Sequence, residues 1–118
     1  MANPNIISIT TINGKTALAS LGIVASNVIT NSSNSNTVAK LNNIILTNYS
    51  SSAVGANVMI NRSSTLYYLA GNISIPGQST LVLLGKDTSL YLEEGDVLQA
   101  NASATLSISI SAGYEILS

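Results

Sequence analysis

The chain contains no cysteine, histidine, phenylalanine or tryptophan, and five tyrosines supply all of its aromatic side chains. Without cysteine there is no disulfide framework, no thiolate metal ligand and no cysteine nucleophile. Without histidine, the many serines lack the usual general base of a serine hydrolase. The sequence therefore predicts that the chain is not an enzyme, and it predicts no cofactor.

Charged side chains are also scarce, at 8% of the residues with a net charge of -1. The four basic residues are scattered and cannot release many counterions from a phosphate backbone, so no nucleic-acid partner is expected. A surface with so little charge repels its neighbours only weakly. We therefore expect a component of an assembly, the alternative being a surface of Ser, Thr and Asn that is simply soluble.

Long apolar runs are missing as well. Every such run is far shorter than the roughly 20 residues that a membrane-spanning helix needs, and Met1–Asn5 lacks the basic start of a signal peptide. No membrane association and no secretory leader are therefore expected. The 118 residues are predicted to form a single domain, 1–118, in which Met1–Asn5 is an N-terminal arm.

Ile, Leu, Val, Thr, Ser and Asn are abundant, and they occur in alternating patterns. The β-branched and small polar residues are mediocre helix formers, and the apolar residues recur with a period of two, which is typical of strands. Turn signals divide the chain at intervals of about eight to twelve residues. The sequence thus predicts an all-β fold, an antiparallel β-sandwich or jelly-roll-like domain of about eight or nine short strands.

Turn signals and alternation together place the individual strands. Asn13-Gly14 is the strongest short hairpin signal, because both central residues of a type I′ turn need positive φ. It predicts strands at Ile6–Ile12 and Lys15–Leu21. Asn31–Thr37 is wholly polar and is predicted to be a loop. Further strands are predicted at Ala39–Asn48, Ala56–Arg62, Thr65–Ile75, Thr80–Leu84, Ser89–Glu93, Val97–Ala102 and Thr105–Ser111.

Three places in this scheme carry more specific expectations. Gly71 lies between two differently patterned halves of a long strand and is a candidate bulge. Pro76-Gly77 fits the two central positions of a type II turn. In the last strand, the alternation predicts that three side chains face the core. These are Leu106, Ile108 and Ile110.

The stretch "SLYLEEGDVLQA" holds three of the five acidic residues of the chain, Glu93, Glu94 and Asp96. We interpret it as a turn, in which Gly95 supplies a positive φ and the Asp bonds to nearby backbone N–H groups. A cation site is the less favoured alternative, because calcium takes more oxygen ligands than this stretch and Asp87 offer. A glycosidase pair would need two carboxylates that face each other across a cleft. The neighbours Glu93 and Glu94, at a strand end, are expected to point in opposite directions, so this alternative is not favoured.

Two segments are apolar on both faces, so they belong either to central strands or to a subunit interface. The sequence alone does not separate the two possibilities. The candidate interface residues are Leu66, Tyr67, Leu69, Leu81 and Leu83. Tyr67 and Tyr68 are also conceivable as a carbohydrate-stacking pair, but neighbours on a strand face opposite sides, so packing is the favoured interpretation.

The N-glycosylation pattern Asn-X-Ser/Thr also recurs along the chain. In a sequence so rich in Asn, Ser and Thr, such matches are expected by chance, and we interpret them as incidental. The matches are at Asn31, Asn48, Asn61, Asn72 and Asn101.

Both ends of the sequence resemble a known group of proteins. The first stretch is "ITTINGKTALASL" (Ile9 to Leu21). The second runs from Tyr67 to Leu117 and includes "LAGNISIPGQSTL", "LYLEEGDVLQA" and "SAGYEIL". In these stretches the chain resembles small virion proteins of tailed bacteriophages, especially marine and cyanobacterial phages. The resemblance implies a structural β-sandwich subunit of the virus particle, with no catalytic residues.

Within that group, a compact β domain fits best with a capsid decoration, or cement, protein. Such a protein sits on the outer head shell as a symmetric homo-oligomer, with a trimer favoured, and contacts the major capsid protein or other virion proteins. We therefore expect it to be made in the host cytoplasm and to reside on the capsid surface of the virion. The Met1–Asn5 arm is expected to add a strand to a neighbour. The alternatives are a neck, tail or fibre-associated component and a receptor- or glycan-binding β module.

Overall fold

The computed structural model describes residues 10–85 and 90–118, and in these residues the chain forms nine β-strands. The predicted arm Met1–Asn5 and most of the predicted strand Ile6–Ile12 lie outside the described residues. The strands are β1 Ile12–Ser20, β2 Ser26–Thr30, β3 Val38–Asn48, β4 Val54–Arg62, β5 Thr65–Ile75, β6 Ser79–Leu84, β7 Leu90–Leu92, β8 Val97–Ala102 and β9 Ile108–Leu117.

The strands form two antiparallel sheets. Sheet A has the order β1-β9-β3-β6, and sheet B has the order β2-β8-β4-β5. In sheet A, β7 also pairs with β3, along the part of β3 that precedes its pairing with β6. The outgoing arm β1 to β4 pairs strand by strand with the returning arm: β1 with β9, β2 with β8, β3 with β6 and β7, and β4 with β5. This long hairpin, folded over on itself, has the strand order of a jelly roll. The predicted fold class is confirmed.

The core lies between the two sheets and consists of one face of each strand. In β9, Ile108 and Ile110 are buried as the alternation predicts. The same alternation is wrong for Leu106, which is 70% exposed and has a φ of 57°. Residues 103–107 turn the chain from sheet B to sheet A, so the regular side-chain alternation begins only at Ile108.

The predicted hairpin turn at Asn13-Gly14 is wrong. β1 runs straight through both residues, which pair with Ile116 and Glu115 of β9, and neither has a positive φ. A two-residue hairpin offers only local pairing, whereas β9 pairs with nine consecutive residues of β1. The long-range ladder therefore overrides a strong local turn signal.

The turn after β5 also differs from the prediction. The positive φ belongs to Gln78, at 57°, and not to Gly77. Gly77 is required for a different reason, because a Cβ atom there would lie 2.6 Å from the backbone carbonyl of Ser51. The next amide, of Gln78, donates to the carbonyl oxygen of Ser50 at 2.9 Å. The glycine therefore permits the close approach of two loops and is not needed for its own φ.

The bulge predicted at Gly71 is confirmed. Ala56 pairs with Ile73 and Val58 with Ala70, so Asn57 alone faces the two residues Gly71 and Asn72. Asn72 takes the left-handed conformation, with a φ of 54°, and its amide donates to the Oδ1 atom of Asn57 at 2.6 Å. The bulge lets β5 bend around the edge of sheet B.

Candidate functional site

The acidic stretch forms the turn between β7 and β8, as the sequence predicts. The amide of Asp96 donates to the carbonyl oxygen of Glu93 at 3.0 Å, and Gly95 has a φ of 89°. The carboxylate of Asp96 accepts the amide of Glu93 in return, at 2.8 Å from Oδ2. Each of the two residues therefore bonds the other across the turn.

Arg62 holds this turn from β4, the neighbour of β8 in sheet B. At the end of β4, its Nε donates to Oδ1 of Asp96 at 2.8 Å and its Nη2 donates to Oδ2 at 2.6 Å. Nη2 also contacts Oε2 of Glu93 at 3.2 Å. Asp96 is 1% exposed, whereas Arg62 and Glu93 are about half exposed. The hydrogen bonds and negative charge of Asp96, with a smaller contribution from Glu93, raise the pKa of the Arg62 guanidinium above its ordinary value.

The third acid, Glu94, points to another element. Its carboxylate accepts the amide of Asn36 in the loop between β2 and β3. The three acids thus anchor two different segments, and within residues 10–85 and 90–118 no three acidic side chains gather in a way that could hold a metal ion. Asp87, the further oxygen donor considered from the sequence, lies outside the described residues. The described geometry makes the acidic turn a structural joint.

Asn31 is the centre of a second joint beside the turn. Its buried side-chain Nδ2 donates to the carbonyl oxygens of Leu92 at 2.8 Å and Thr37 at 3.0 Å. Its Oδ1 accepts the hydroxyls of Ser35 at 2.8 Å and Thr37 at 3.1 Å. The predicted loop 31–37 is confirmed, and this one amide holds the loop against the end of β7.

Asn48 plays the same part at the opposite end of β3. It is fully buried, and its Nδ2 donates to the carbonyl oxygens of Ser52 at 2.8 Å and Ile75 at 2.9 Å. Its Oδ1 accepts the amide and the hydroxyl of Ser50 at 3.0 and 2.7 Å. Sequence reasoning missed both asparagines, because a polar residue at a strand end gives no sign of what it will bond. Two of the five glycosylation matches are therefore buried and bonded in the fold.

The structure separates the five candidate interface residues into two groups. Leu69, Leu81 and Leu83 are half-buried and pack against the core, so they belong mainly to the interior of the sandwich. Leu66 and Tyr67 are exposed along β5, an edge strand of sheet B. The five do not form one surface, because β5 and β6 belong to different sheets.

Tyr67 lines a cleft at the margin between the two sheets. The cleft has a volume of about 400 Å³, and its other lining residues are Ile60, Arg62, Leu90 and Tyr91. Tyrosine rings therefore stand on both sheets, beside the guanidinium that holds the acidic turn. An aromatic-lined cleft of this kind suits a ring-shaped ligand with polar edges.

The outer face of sheet A carries two uncharged rows that cross its four main strands. The register aligns an apolar row, Leu18, Ser111, Ile45 and Val82, and a hydroxyl row, Ser20, Ser109, Thr47 and Thr80. Leu18 is 75% exposed and Val82 is 60% exposed, at opposite ends of the apolar row. A shallow groove of about 440 Å³ runs between the two rows beside Leu18.

Sequence reasoning missed this face. The alternation of side chains along β1 indicated this face, because Leu18 lies on the opposite side of the strand from the half-buried Ala17 and Ala19. Its position beside Ser111 and Ile45, however, depends on pairing with β9 and β3, which the predicted hairpin did not provide.

The described residues contain no helix long and apolar enough to cross a membrane. No protein-family model matches the sequence, and no curated protein sequence is significantly similar to it.

Proposed function

We propose that the chain is a structural subunit of a tailed-phage virion, and specifically a capsid decoration protein. It binds the outer head shell as a symmetric homo-oligomer and contacts the major capsid protein. It functions by binding to neighbouring subunits, through modest contacts that are repeated over a symmetric lattice. The proposal rests on the resemblance of both chain ends to phage virion proteins and on the surface of sheet A.

The outer face of sheet A is the observation that carries the proposal. The apolar row and the hydroxyl row hold no charged side chain, and Leu18 and Val82 protrude from them into solvent. Fully burying an exposed Leu or Val side chain stabilises a complex by about 1.5–3 kcal/mol. The small hydroxyls between them let a partner approach closely and can bond to it.

The fold supports the same proposal. The jelly-roll strand order is shared by viral capsid domains and by lectin domains. Each of its two sheets has one face that is turned away from the core. Because fold alone does not determine function, the surface chemistry of sheet A is the stronger argument.

The test is particle binding by a surface variant and a matched control. Val82→Lys places a charge at the end of the apolar row, and Thr30→Lys places the same charge on an exposed strand position of sheet B. The purified proteins are mixed with phage heads that lack the subunit and are sedimented. We expect the original chain and Thr30→Lys to sediment with the heads and Val82→Lys to remain in the supernatant.

Copy number in purified virions separates the virion roles. A decoration protein covers the shell in hundreds of copies, whereas a neck or tail component occurs in about six or twelve, as its ring symmetry dictates. Quantitative staining or mass spectrometry of purified particles gives this number. A count near twelve would move the assignment to the neck or tail, and absence from particles would overturn the virion role altogether.

The cleft between Tyr67 and Tyr91 favours a second candidate, a glycan-binding module on the particle. Sugar rings stack on tyrosine faces, and the Arg62 guanidinium beside them offers hydrogen-bond donors. A glycan array tests this role with Tyr67→Ala and, as a control, Tyr49→Ala, which changes another exposed tyrosine. Binding that Tyr67→Ala abolishes and Tyr49→Ala preserves would support the second candidate.

A further inference from the structure

The five edge strands of the described sheets, β1, β2, β5, β6 and β7, differ in how well they could accept another strand. β2 has five residues and a register shift between Asn27 and Ile29. β5 is interrupted by two register shifts. The pairing of β6 with β3 shifts between Ile44 and Ile45. β7 has only three residues. β1 pairs without interruption over nine consecutive residues.

The backbone of β1 presents a regular set of hydrogen-bonding groups on its open side. Thr11 exchanges both backbone bonds with Ser118, at 2.9 and 3.0 Å, and the amide of Leu21 donates to the carbonyl oxygen of Ile108 at 2.8 Å. In an antiparallel ladder such bonded pairs alternate with unbonded ones. The odd-numbered residues of β1 therefore bond β9, and the even-numbered residues direct their N–H and C=O groups away from the sheet. These are Ile12, Gly14, Thr16, Leu18 and Ser20.

Edge strands usually carry devices that discourage pairing, such as bulges, prolines or several charges. β1 has no proline and one charge, Lys15, and its register shows no bulge. Its outer-face side chains include Ile12, which is 61% exposed, and Leu18. Among the strands that the structure describes, β1 pairs with β9 alone. Within residues 10–85 and 90–118, its outer edge is thus open to an extended strand.

We propose that β1 pairs with β1 of a second copy of the chain, antiparallel, about a twofold axis at Thr16. In this register Thr16 faces Thr16 of the second copy, Gly14 faces Leu18 of the second copy, and Ile12 faces Ser20 of the second copy. The overlap covers the whole strand, and the two A sheets become one continuous sheet. Such an isologous pairing is self-complementary, as a twofold interface must be.

Gly14 supports this register. It lies in the middle of a strand, where glycine is unfavourable, and it has no positive φ to account for its presence. A Cβ atom built on it meets nothing within 4 Å, so the space above it is open. In the proposed pair, that space receives the exposed side chain of Leu18 of the second copy. The residue that does not form the predicted hairpin thus gains a physical role.

The charge of Lys15 selects the same register. Moving one strand by two residues is the smallest shift that keeps the outward hydrogen-bonding groups opposed. In one direction this shift sets Lys15 directly against Lys15 of the second copy, which is destabilising. In the other direction it leaves Ile12 without a strand partner. The register centred on Thr16 avoids both, because it places Lys15 opposite Ala17 of the second copy.

The size of the contact predicts that it is weak in dilute solution. Nine residues span roughly 30 Å, and a sheet edge is about 10 Å high, so each copy buries on the order of 300 Å². A standard stable interface buries about 800 Å² per partner. We therefore expect monomers at low concentration and pairs at high concentration, or wherever a surface holds copies side by side.

Cysteine cross-linking tests the proposal cleanly because the chain has no cysteine of its own. In the proposed register the two Thr16 Cα atoms lie about 5.5 Å apart, within the range that a disulfide spans. The two Ser20 Cα atoms lie roughly 27 Å apart. Thr16→Cys and its control Ser20→Cys are oxidised side by side in the full chain, between about 10 µM and 1 mM.

We expect Thr16→Cys to form disulfide dimers at least about tenfold faster than Ser20→Cys, because pairing raises the effective concentration of its thiols. Equal rates, or a chain that sedimentation shows to be monomeric throughout this range, would overturn the proposal. In that case the edge would be left for a strand of a different protein. The test needs no virus particle, so its result is separate from that of the head-binding experiment.

Gly14→Val gives a second, independent readout. The valine has open space in the monomer and favours a strand, so the melting temperature should stay level or rise. In the pair it lies directly opposite Leu18 of the second copy, and such an apolar cross-strand pair is favourable, so we expect Gly14→Val to dimerise at a concentration about threefold lower than the original chain. A variant that dimerises no more readily than the original chain would contradict the register.

Discussion

The guanidinium of Arg62 binds the buried carboxylate of Asp96 through two hydrogen bonds, with one nitrogen donating to each oxygen, at 2.8 and 2.6 Å. The two residues are 34 positions apart in the sequence. Bidentate pairs of this kind are the stronger charge-assisted hydrogen bonds and fix orientation as well as distance. This pair fastens the end of β4 to the turn that joins the two sheets.

Removing Arg62 is therefore expected to destabilise the chain. Arg62→Ala leaves Asp96 buried with a charge that only the amide of Glu93 satisfies, so unfolding should become easier by about 2–3 kcal/mol. Asp96→Ala should cost a similar amount, and the double variant less than the sum. Chemical denaturation measures all three. The control Lys15→Ala removes an exposed cation and should change stability by less than about 0.5 kcal/mol. If Lys15→Ala and Arg62→Ala lost the same stability, the stabilising role of the Arg62–Asp96 pair would be contradicted.

Asn48→Ala is expected to cost about 2–4 kcal/mol, because it leaves the buried carbonyl oxygen of Ile75 without a donor and frees the loop that follows β3. Asn48→Asp should also destabilise, since an ionised carboxylate cannot donate to the two carbonyls. The matched control is Asn27→Ala, which removes an exposed side chain bonded to Gln99. If the two variants Asn27→Ala and Asn48→Ala had the same melting temperature, the described role of Asn48 would be wrong.

Two glycine substitutions should have opposite consequences. Gly77→Ala forces the new methyl group to within 2.6 Å of the backbone of Ser51, so the two loops must separate, at a cost of about 2 kcal/mol or more. Gly22→Ala meets nothing within 4 Å and should be neutral or slightly stabilising, because it restricts the unfolded chain. Denaturation midpoints measure both. A neutral Gly77→Ala would show that the loops are farther apart than described.

The last strand offers a test of face assignment. Ile108→Ala removes a fully buried side chain and should cost about 2–5 kcal/mol, whereas the exposed Leu106 should tolerate alanine with a change below about 1 kcal/mol. Leu106→Gly should be neutral or better, since its φ of 57° is unfavourable for leucine. Similar losses for Ile108→Ala and Leu106→Ala would place the start of β9 earlier than the structure has it.

Alternation predicted those strands whose side-chain pattern is continuous. β5 and β8 match their predicted bounds, and β3 and β6 each begin one residue before theirs. β2 was not predicted, because five residues interrupted by a register shift leave no regular period to detect. Leu106 was assigned to the core because alternation carries no sign of where a turn ends.

At the candidate sites, too, the features encoded by neighbouring residues were predicted, and the contacts between distant residues were not. The turn at Glu93–Asp96 was predicted, since glycine and aspartate encode it over four residues. The partner Arg62 was not, because nothing near residue 62 in the sequence indicates which turn it will meet. Asn13-Gly14 shows the converse, a strong local signal overruled by a ladder to residues about a hundred positions away.

The pairing of β1 with β9 also has a consequence for biosynthesis. Ile12 reaches its partner Leu117 only after the intervening chain has left the ribosome. A topology dominated by such distant pairs folds slowly, because closing the large loop precedes any compensating contact. The ordered template strand therefore forms only after β9 has been synthesised, and it becomes available to a second copy late in folding.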